Sequence, residues 1–163
     1  FTLEAPEGAI LVISYIGYHT QEVKVRKRSL LRVVSKEDNQ LLDEIAVQAR
    51  ASERLRMNFN LHETLDAKAQ RLLNALEIGT VLPVHRHPHT AETYVMLRGR
   101  IDVMFYGNDG AETARFLLDS QRGNYGVHIP KGQWHTLEVI EPSVILEIKD
   151  GPYTPLGPED MLY

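Results

Sequence analysis

From Gln70 to Ile148 the chain repeats one local pattern, a short apolar-rich run followed by a turn signal, and this repetition constrains its fold more than any other feature. The runs are Leu72 to Leu76, Thr80 to His87, Thr93 to Leu97, Ile101 to Tyr106, Thr113 to Leu118, Tyr125 to Ile129, Thr136 to Ile140 and Val144 to Ile148. Between them stand Gly79, Pro88, Gly99, Asn108-Asp109-Gly110, Gly123, Pro130-Lys131-Gly132 and Glu141-Pro142. Strands spaced by roughly 8 to 12 residues, with no helical period between them, predict an all-β sandwich or barrel. No internal repeat, low-complexity tract or charge block interrupts the pattern.

Upstream, the period changes twice. Residues 1 to 34 read as β: Phe1 to Leu3, Ile10 to Ile16, Glu22 to Val25 and Leu30 to Val34 are divided by Pro6-Glu7-Gly8 and Gly17. In Glu22-Val23-Lys24-Val25-Arg26 the valines share one face and the charges the other, as in a half-exposed strand. A block this short, without cysteine, falls below the size of about 40 residues at which a domain buries its own core. Residues 35 to 51 then take a helical period: Leu41, Ile45 and Ala49 recur every four positions behind a capping box at Ser35-Lys36-Glu37-Asp38. Next comes Arg56 to His62, in which Met57, Phe59 and Leu61 share one face of a strand and Arg56, Asn58, Asn60 and His62 the other. The expected division is thus a partial β extension over 1–34 and a main domain over 35–163.

Composition closes off several classes of function. A net charge of -4 offers no basic excess for nucleic acid or an anionic membrane. The absence of cysteine excludes disulfides, thiolate metal sites and cysteine nucleophiles. Ala9 to Ile13, the longest apolar stretch, falls far short of the roughly 20 residues that cross a bilayer. Phe1 follows no basic leader and is no initiator Met, so a processed chain or a piece of a longer one is expected.

Chemistry concentrates in the histidines. His85 and His87 project from one strand face, Pro88 ends that strand, and Glu92 begins the next, so the three can converge. His135 follows the tight turn at Pro130-Lys131-Gly132 and can complete the set from a distant strand. Three imidazoles and one carboxylate suit one divalent transition metal ion (Fe, Mn, Ni, Co or Zn), and four protein ligands would leave positions open on an octahedral ion. Gly79, His85, His87, Glu92 and Gly99 recur at their fixed spacing by chance in roughly one sequence of this composition in ten thousand. Arg56 and His62 read either as lining the site or as a wet strand face, and Tyr94 shares the parity of Glu92. His89 reads as solvent-facing or at the cavity mouth, His128 as a polar niche in the wall, Trp134 as packing, and Glu147 with Lys149 as a simple pair on the last strand.

The spacing from Gly79 to Gly99 resembles the first conserved motif of cupins, and Pro130, Gly132 and His135 resemble the second, with one extra residue after Gly123 and Val139 where an Asn is common. The resemblance implies a cupin barrel, a double-stranded β-helix, with a metal bound by His85, His87, Glu92 and His135. Within cupins, residues from about 36 onward resemble the WbuC family: Arg56-Met57-Asn58, His62, Gln70-Arg71, Leu73-Asn74-Ala75-Leu76, His85-Arg86-His87, Glu92-Thr93, Trp134-His135-Thr136 and Asp150-Gly151-Pro152-Tyr153 carry it. That family is associated with bacterial polysaccharide gene clusters. Residues 1–47 are similar to the end of the carboxypeptidase-regulatory-like module of SusC-type TonB-dependent receptors, through Ser14-Tyr15-Ile16-Gly17-Tyr18 and Leu42-Asp43-Glu44-Ile45-Ala46-Val47. Residues 1–34 would then augment the barrel or a partner's sheet, or be the remnant of a truncated or chimeric chain.

The function expected is a metal-dependent enzyme acting on a small polar or sugar-like metabolite, with isomerisation, epimerisation and oxygenation all open. Arg56, Asn58 and Tyr94 would bind the substrate and His62 would act as acid/base. The alternatives are a metal- or sugar-binding module without turnover and a receptor-associated protein acting through residues 1–34. A cytoplasmic homodimer is expected, inserting in no membrane and binding no nucleic acid; the receptor resemblance would allow the cell envelope.

Overall fold

A computed structural model describes residues 5–15, 18–26, 33–34 and 40–162. The expected strand at 1–3, residues 30–32 of the expected strand at 30–34 and the capping box at 35–38 lie outside these residues. The chain divides into two compact units, Phe1–Asp43 and Glu44–Tyr163.

In the first unit, β1 (Ile10–Tyr15) pairs antiparallel with β2 (Tyr18–Lys24), Leu11 opposite Val23 and Ile13 opposite Gln21. Gly8, at φ +87°, turns the chain into β1, and its amide donates to the Val25 carbonyl at 3.0 Å. The alternation read in the sequence holds: Val23 is half-buried while Glu22 and Lys24 are exposed.

Helix α1 (Gln40–Ala51) crosses the division and buries Leu42, Ile45 and Ala49, one stripe at helical spacing. Its last turn is tied to the end of a barrel strand by Arg50 Nε donating to Glu77 Oε1 at 2.9 Å.

The second unit is all β apart from that helix and one 3₁₀ turn at Pro158–Asp160, and its fold is the cupin jelly roll. Its strands are β3 (Arg56–Asn60), β4 (Ala69–Leu76), β5 (Val84–His85), β6 (Glu92–Tyr106), β7 (Glu112–Asp119), β8 (Gly126–Ile129), β9 (Trp134–Asp150) and β10 (Met161–Leu162). They pair in the order β10-β5-β9-β4-β3, while β6 pairs with β7, β8 and β9.

Two expectations are corrected here. Gly99 and Glu141-Pro142 do not divide strands; they sit inside β6 and β9, which run 15 and 17 residues and pair along most of their length. The register slips between Met96 and Ile101, where Gly99 takes φ +86°. Pro142, which has no amide hydrogen to donate, falls in that same irregular stretch, where a proline is tolerated in a ladder. The expected strand over Thr80 to His87 contracts to Val84–His85, because the residues before it bond to side chains rather than to a neighbouring strand: Arg56 Nη1 donates to the Val81 carbonyl and Thr136 Oγ1 to that of Leu82.

The registers stack side chains in rows across one face. Gln70, Lys149 and Glu92 form the first row; Asn60, Leu72, Glu147 and Tyr94 the second; Asn58, Asn74, Ile145 and Met96 the third; Arg56, Leu76 and Ser143 the fourth. Residues in register share a face, so this wall is polar in its first rows and mixed beyond. Core packing comes from Ile101, Val103, Phe105, Leu118, Val127, Ile129, Leu137 and Val139, with Leu76, Tyr94, Met96 and Ile145 joining from the rows.

Candidate metal centre and cavity

Pairing of β5 with β9 sets His85 directly opposite His135. His87 follows two residues later, and Glu92 opens β6 beside them. Ring centroids lie 4.4 Å apart for His85 and His135, 5.3 Å for His85 and His87, and 6.1 Å for His87 and His135. Glu92 is 2% exposed, with Oε1 3.0 Å from His87 Nε2 and Oε2 3.3 Å from His135 Nε2. The four residues singled out as metal ligands thus come together. Among the described residues no three His, Asp or Glu side chains form a ready-made coordination shell; the Glu92 carboxylate instead leans onto the two imidazoles.

Backbone carbonyls fix two of the rings. His85 Nδ1 is 3.0 Å from the Pro83 carbonyl oxygen and His135 Nδ1 2.9 Å from that of Gln133. A carbonyl only accepts, so each Nδ1 carries the hydrogen and Nε2 is the nitrogen left for the cluster. His135 Nε2 is buried without a hydrogen-bond partner. Desolvation, with repulsion from His135, lowers the His85 pKa to about 4 and keeps that ring neutral. The 3.3 Å approach of His135 Nε2 to Glu92 Oε2 calls for a cation between the two groups, either a proton on Nε2 or a metal ion. The donor set therefore fits a metal ion, and carbonyl-anchored Nδ1 atoms are the usual way such ligands are oriented.

Glu92 is anchored from its other side. Lys149 Nζ donates to its Oε1 at 3.1 Å, and the Tyr94 hydroxyl donates to its Oε2 at 3.2 Å. Burial alone would raise the Glu92 carboxyl, but contacts with His135 and His87 and the charge of Lys149 hold it far below the usual carboxylate range. Burial drives the Tyr94 hydroxyl well above its ordinary value, with the Glu92 and Glu147 charges adding to the effect, so it stays a donor.

The sequence reading missed the extent of this cluster. Lys149 also contacts Glu147 Oε1 at 3.0 Å, and Asn74 Nδ2 donates to Glu147 Oε2 at 2.6 Å. Glu147 and Lys149 are therefore no simple surface pair but a buried bridge to Glu92. The missed signal was parity: both occupy the face of β9 that pairs with Glu92 and Tyr94.

These groups open on a cavity of about 500 Å³ that is also lined by Arg54, Arg56, Asn58, Asn60, His62 and, from the C-terminal segment, Tyr153, Thr154 and Leu156. Every residue expected to bind substrate or act as acid/base thus borders it. His62 is 7% exposed; its Nδ1 sits 3.1 Å from the Arg71 amide nitrogen and 2.9 Å from the Arg71 carbonyl oxygen. Either tautomer finds a backbone partner there, and Nε2 is left bare. His89 borders a smaller neighbouring cavity with His87. His128 faces outward beside Thr93, 3.2 Å from its hydroxyl, and Trp134 packs under the Arg86 guanidinium at 4.5 Å. The C-terminal closure was not foreseen: Arg86 donates to Asp160 Oδ1 at 3.1 Å, and β10 pairs with β5 so that Met161 lies opposite His85.

Known structures share this architecture. The capsular polysaccharide assembling protein CapF of Staphylococcus aureus matches 66% of this chain at 17% identity and a TM-score of 0.51. An oxalate decarboxylase of Lactobacillus farciminis, solved with formate, matches 63% at 17% identity and the same TM-score of 0.51. Each match covers 30% of the longer protein, and at this identity it establishes the fold alone. A stretch of 47 residues, 29% of this chain, is 43% identical to the TonB-dependent receptor SusC of Bacteroides thetaiotaomicron and covers 4% of that receptor. No helix among the described residues is long and apolar enough to cross a membrane. Residues 37–118, 82 of the 163, match a single family model, and on that ground the chain belongs to the family described as Domain of unknown function (DUF6016).

Proposed function

We propose that this cupin-fold chain is a metal-dependent enzyme for a small polar or sugar-like metabolite, with His85, His87, Glu92 and His135 holding one divalent transition metal ion (Fe, Mn, Ni, Co or Zn). The observation that carries the reading is the buried, unpartnered His135 Nε2 directed at the Glu92 carboxylate. When bound, such an ion supplies Lewis-acid or oxygen-binding chemistry. The chain's own residues do the rest. Lys149 and Tyr94 hold the Glu92 carboxylate in place, Arg56 and Asn58 orient the ligand from β3, and His62 gives or takes a proton at its bare Nε2. A link to polysaccharide synthesis rests on the WbuC resemblance, and a homodimer belongs to the same proposal.

Elemental analysis of the purified protein tests the reading. About one transition-metal ion per chain is expected, and His87→Ala should lower that content sharply, since a structural or catalytic site loses affinity with each ligand removed. Metal content unchanged by His87→Ala, or absent from the wild type under metal-replete conditions, refutes it. Turnover that falls in His62→Gln while metal content holds separates an enzyme from a binding module.

A further inference from the structure

The far end of the cavity carries positive charge that nothing in the metal reading uses. Arg54 and Arg56 both line it, and among the described residues neither is paired with a carboxylate. Arg56 has one partner, the neutral Val81 carbonyl, to which Nη1 donates at 2.6 Å. Burial, and repulsion from Arg54, lower its pKa, so these charges strain against each other as well as against desolvation. Several other arginines of the second unit are compensated: Arg50 by Glu77, Arg86 by Asp160, Arg100 by Glu141 and Arg115 by Asp102 and Glu112. An uncompensated guanidinium pair at a concave surface is built to receive an anion, which it can grip through two parallel hydrogen bonds.

Two buried polar atoms on the same wall also lack partners. His62 Nε2 and Asn74 Oδ1 make no hydrogen bond, although both residues are more than nine-tenths buried. Buried polar atoms normally find partners, and two orphans bordering one cavity indicate groups held ready for a ligand. Asn74 Oδ1 only accepts, so its partner is a hydroxyl or amine hydrogen, and His62 Nε2 accepts or donates with its tautomer. Asn58, opposite Asn74 in the β3–β4 register, adds an amide that bonds hydroxyls in either sense.

We propose that this end of the cavity is an anion subsite for a polyhydroxylated acid, its carboxylate or phosphate held by Arg54 and Arg56 and its hydroxyls by Asn58 and Asn74. The subsite is separate from the imidazole cluster. Val81, which Arg56 bonds, precedes His85 by four residues, at most about 14 Å of extended chain, so one ligand of sugar-acid size or larger can address both. The subsite goes beyond the metal reading and stands without it.

Calorimetric titration of the metal-analysed protein with D-glucuronate, D-glucose 6-phosphate and D-glucose tests the inference. At least one of the acids should bind ten-fold or more tightly than glucose; which one does so tells carboxylate from phosphate. Arg54→Gln and Arg56→Gln should each shrink that preference to within a few-fold. Because Arg54 makes no side-chain bond that the fold needs, Arg54→Gln keeps the test valid should loss of the Val81 contact unfold Arg56→Gln. Equal binding of acids and glucose overturns the inference, as does a preference that survives Arg54→Gln. Metal content measured on the same samples reports on the other reading: protein that lacks metal but prefers the acid sinks the metal proposal and leaves the subsite standing.

Discussion

Two buried carboxylates share one ammonium in this barrel, and the balance among Glu92, Lys149 and Glu147 governs how the site responds to pH. Burial opposes the Lys149 charge, but Glu147 and Glu92 more than offset it and raise its pKa. Glu147 moves the other way from Glu92. Burial, and then the neighbouring Glu92 charge, raise its pKa above the ordinary value of 4.5 against the pull of Lys149. A carboxyl whose folded pKa is raised binds its proton more tightly in the native state, so its contribution to stability is full below the unfolded value and is lost as pH rises through the folded one. Gln at position 147 keeps the shape and has no proton to lose. The stability of Glu147→Gln relative to wild type should therefore improve as pH rises above the ordinary carboxyl value of 4.5, as read from urea midpoints at a series of pH values. A stability difference that stays flat, or runs the other way, would show that Lys149 and not desolvation governs the group. The alternation of β9 made it legible that Glu147 and Lys149 share a face. Their meeting with Glu92, 57 residues away from Lys149, depends on the β6–β9 pairing, which no local pattern encodes.

At the scale of elements, the two bent strands β6 and β9 carry the site because residues from the start and the end of β9 reach the Glu92 carboxylate of β6. β9 brings His135 at its start and Lys149 near its end, while β6 brings Glu92 at its first residue. The bend is fixed where Gly99 meets Pro142 and Ser143. Ser143 Oγ accepts from the Arg100 amide at 2.9 Å and donates to the Glu141 carbonyl at 2.6 Å, and Arg100 pairs with Glu141 at 2.8 Å. A Cβ at Gly99 would run into the Pro142 carbonyl oxygen and Ser143 Oγ from a backbone at φ +86°. Gly99→Ala should cost about 3 kcal/mol, the sum of a left-handed alanine and an overpacked contact, measurable as a lower urea midpoint at unchanged slope. A loss below about 0.5 kcal/mol would mean that the bend yields without strain. The same glycine shows why element boundaries were the less legible part of the fold. Gly and Pro mark every departure from regular extension, and a chain reversal and a bulge use them alike. Only the long-range partner decides between the two. The strands themselves, their faces and the approach of His85, His87 and Glu92 were readable, because period-2 alternation and close spacing act locally, whereas His135 joined the set through a family resemblance.

At the scale of the whole molecule, every group placed in the site belongs to one unit. His62, His85, His87, Glu92, Lys149 and the arginines, together with the carbonyls and side chains that orient them, fall within Glu44–Tyr163. The hairpin of β1 and β2 closes its described hydrogen bonds within the first unit: the Gly8 amide donates to the Val25 carbonyl, the Val25 amide donates to the Ala9 carbonyl, and Gln21 Nε2 donates to the Val34 carbonyl at 2.8 Å. One face of the hairpin leaves Ile10 and Val12 about 60% exposed. Deleting residues 1–34 leaves helix α1 and the cupin unit whole, so the shortened chain should unfold in one cooperative urea transition with the wild-type metal content and the wild-type preference for sugar acids. Any change should fall instead on association, read as a lower mass by light scattering if the hairpin joins copies of the chain. Loss of metal or of the cooperative transition in the shortened chain would tie the N-terminal block to the barrel's own stability, and the separation of the two units would then be one of contacts and not of folding.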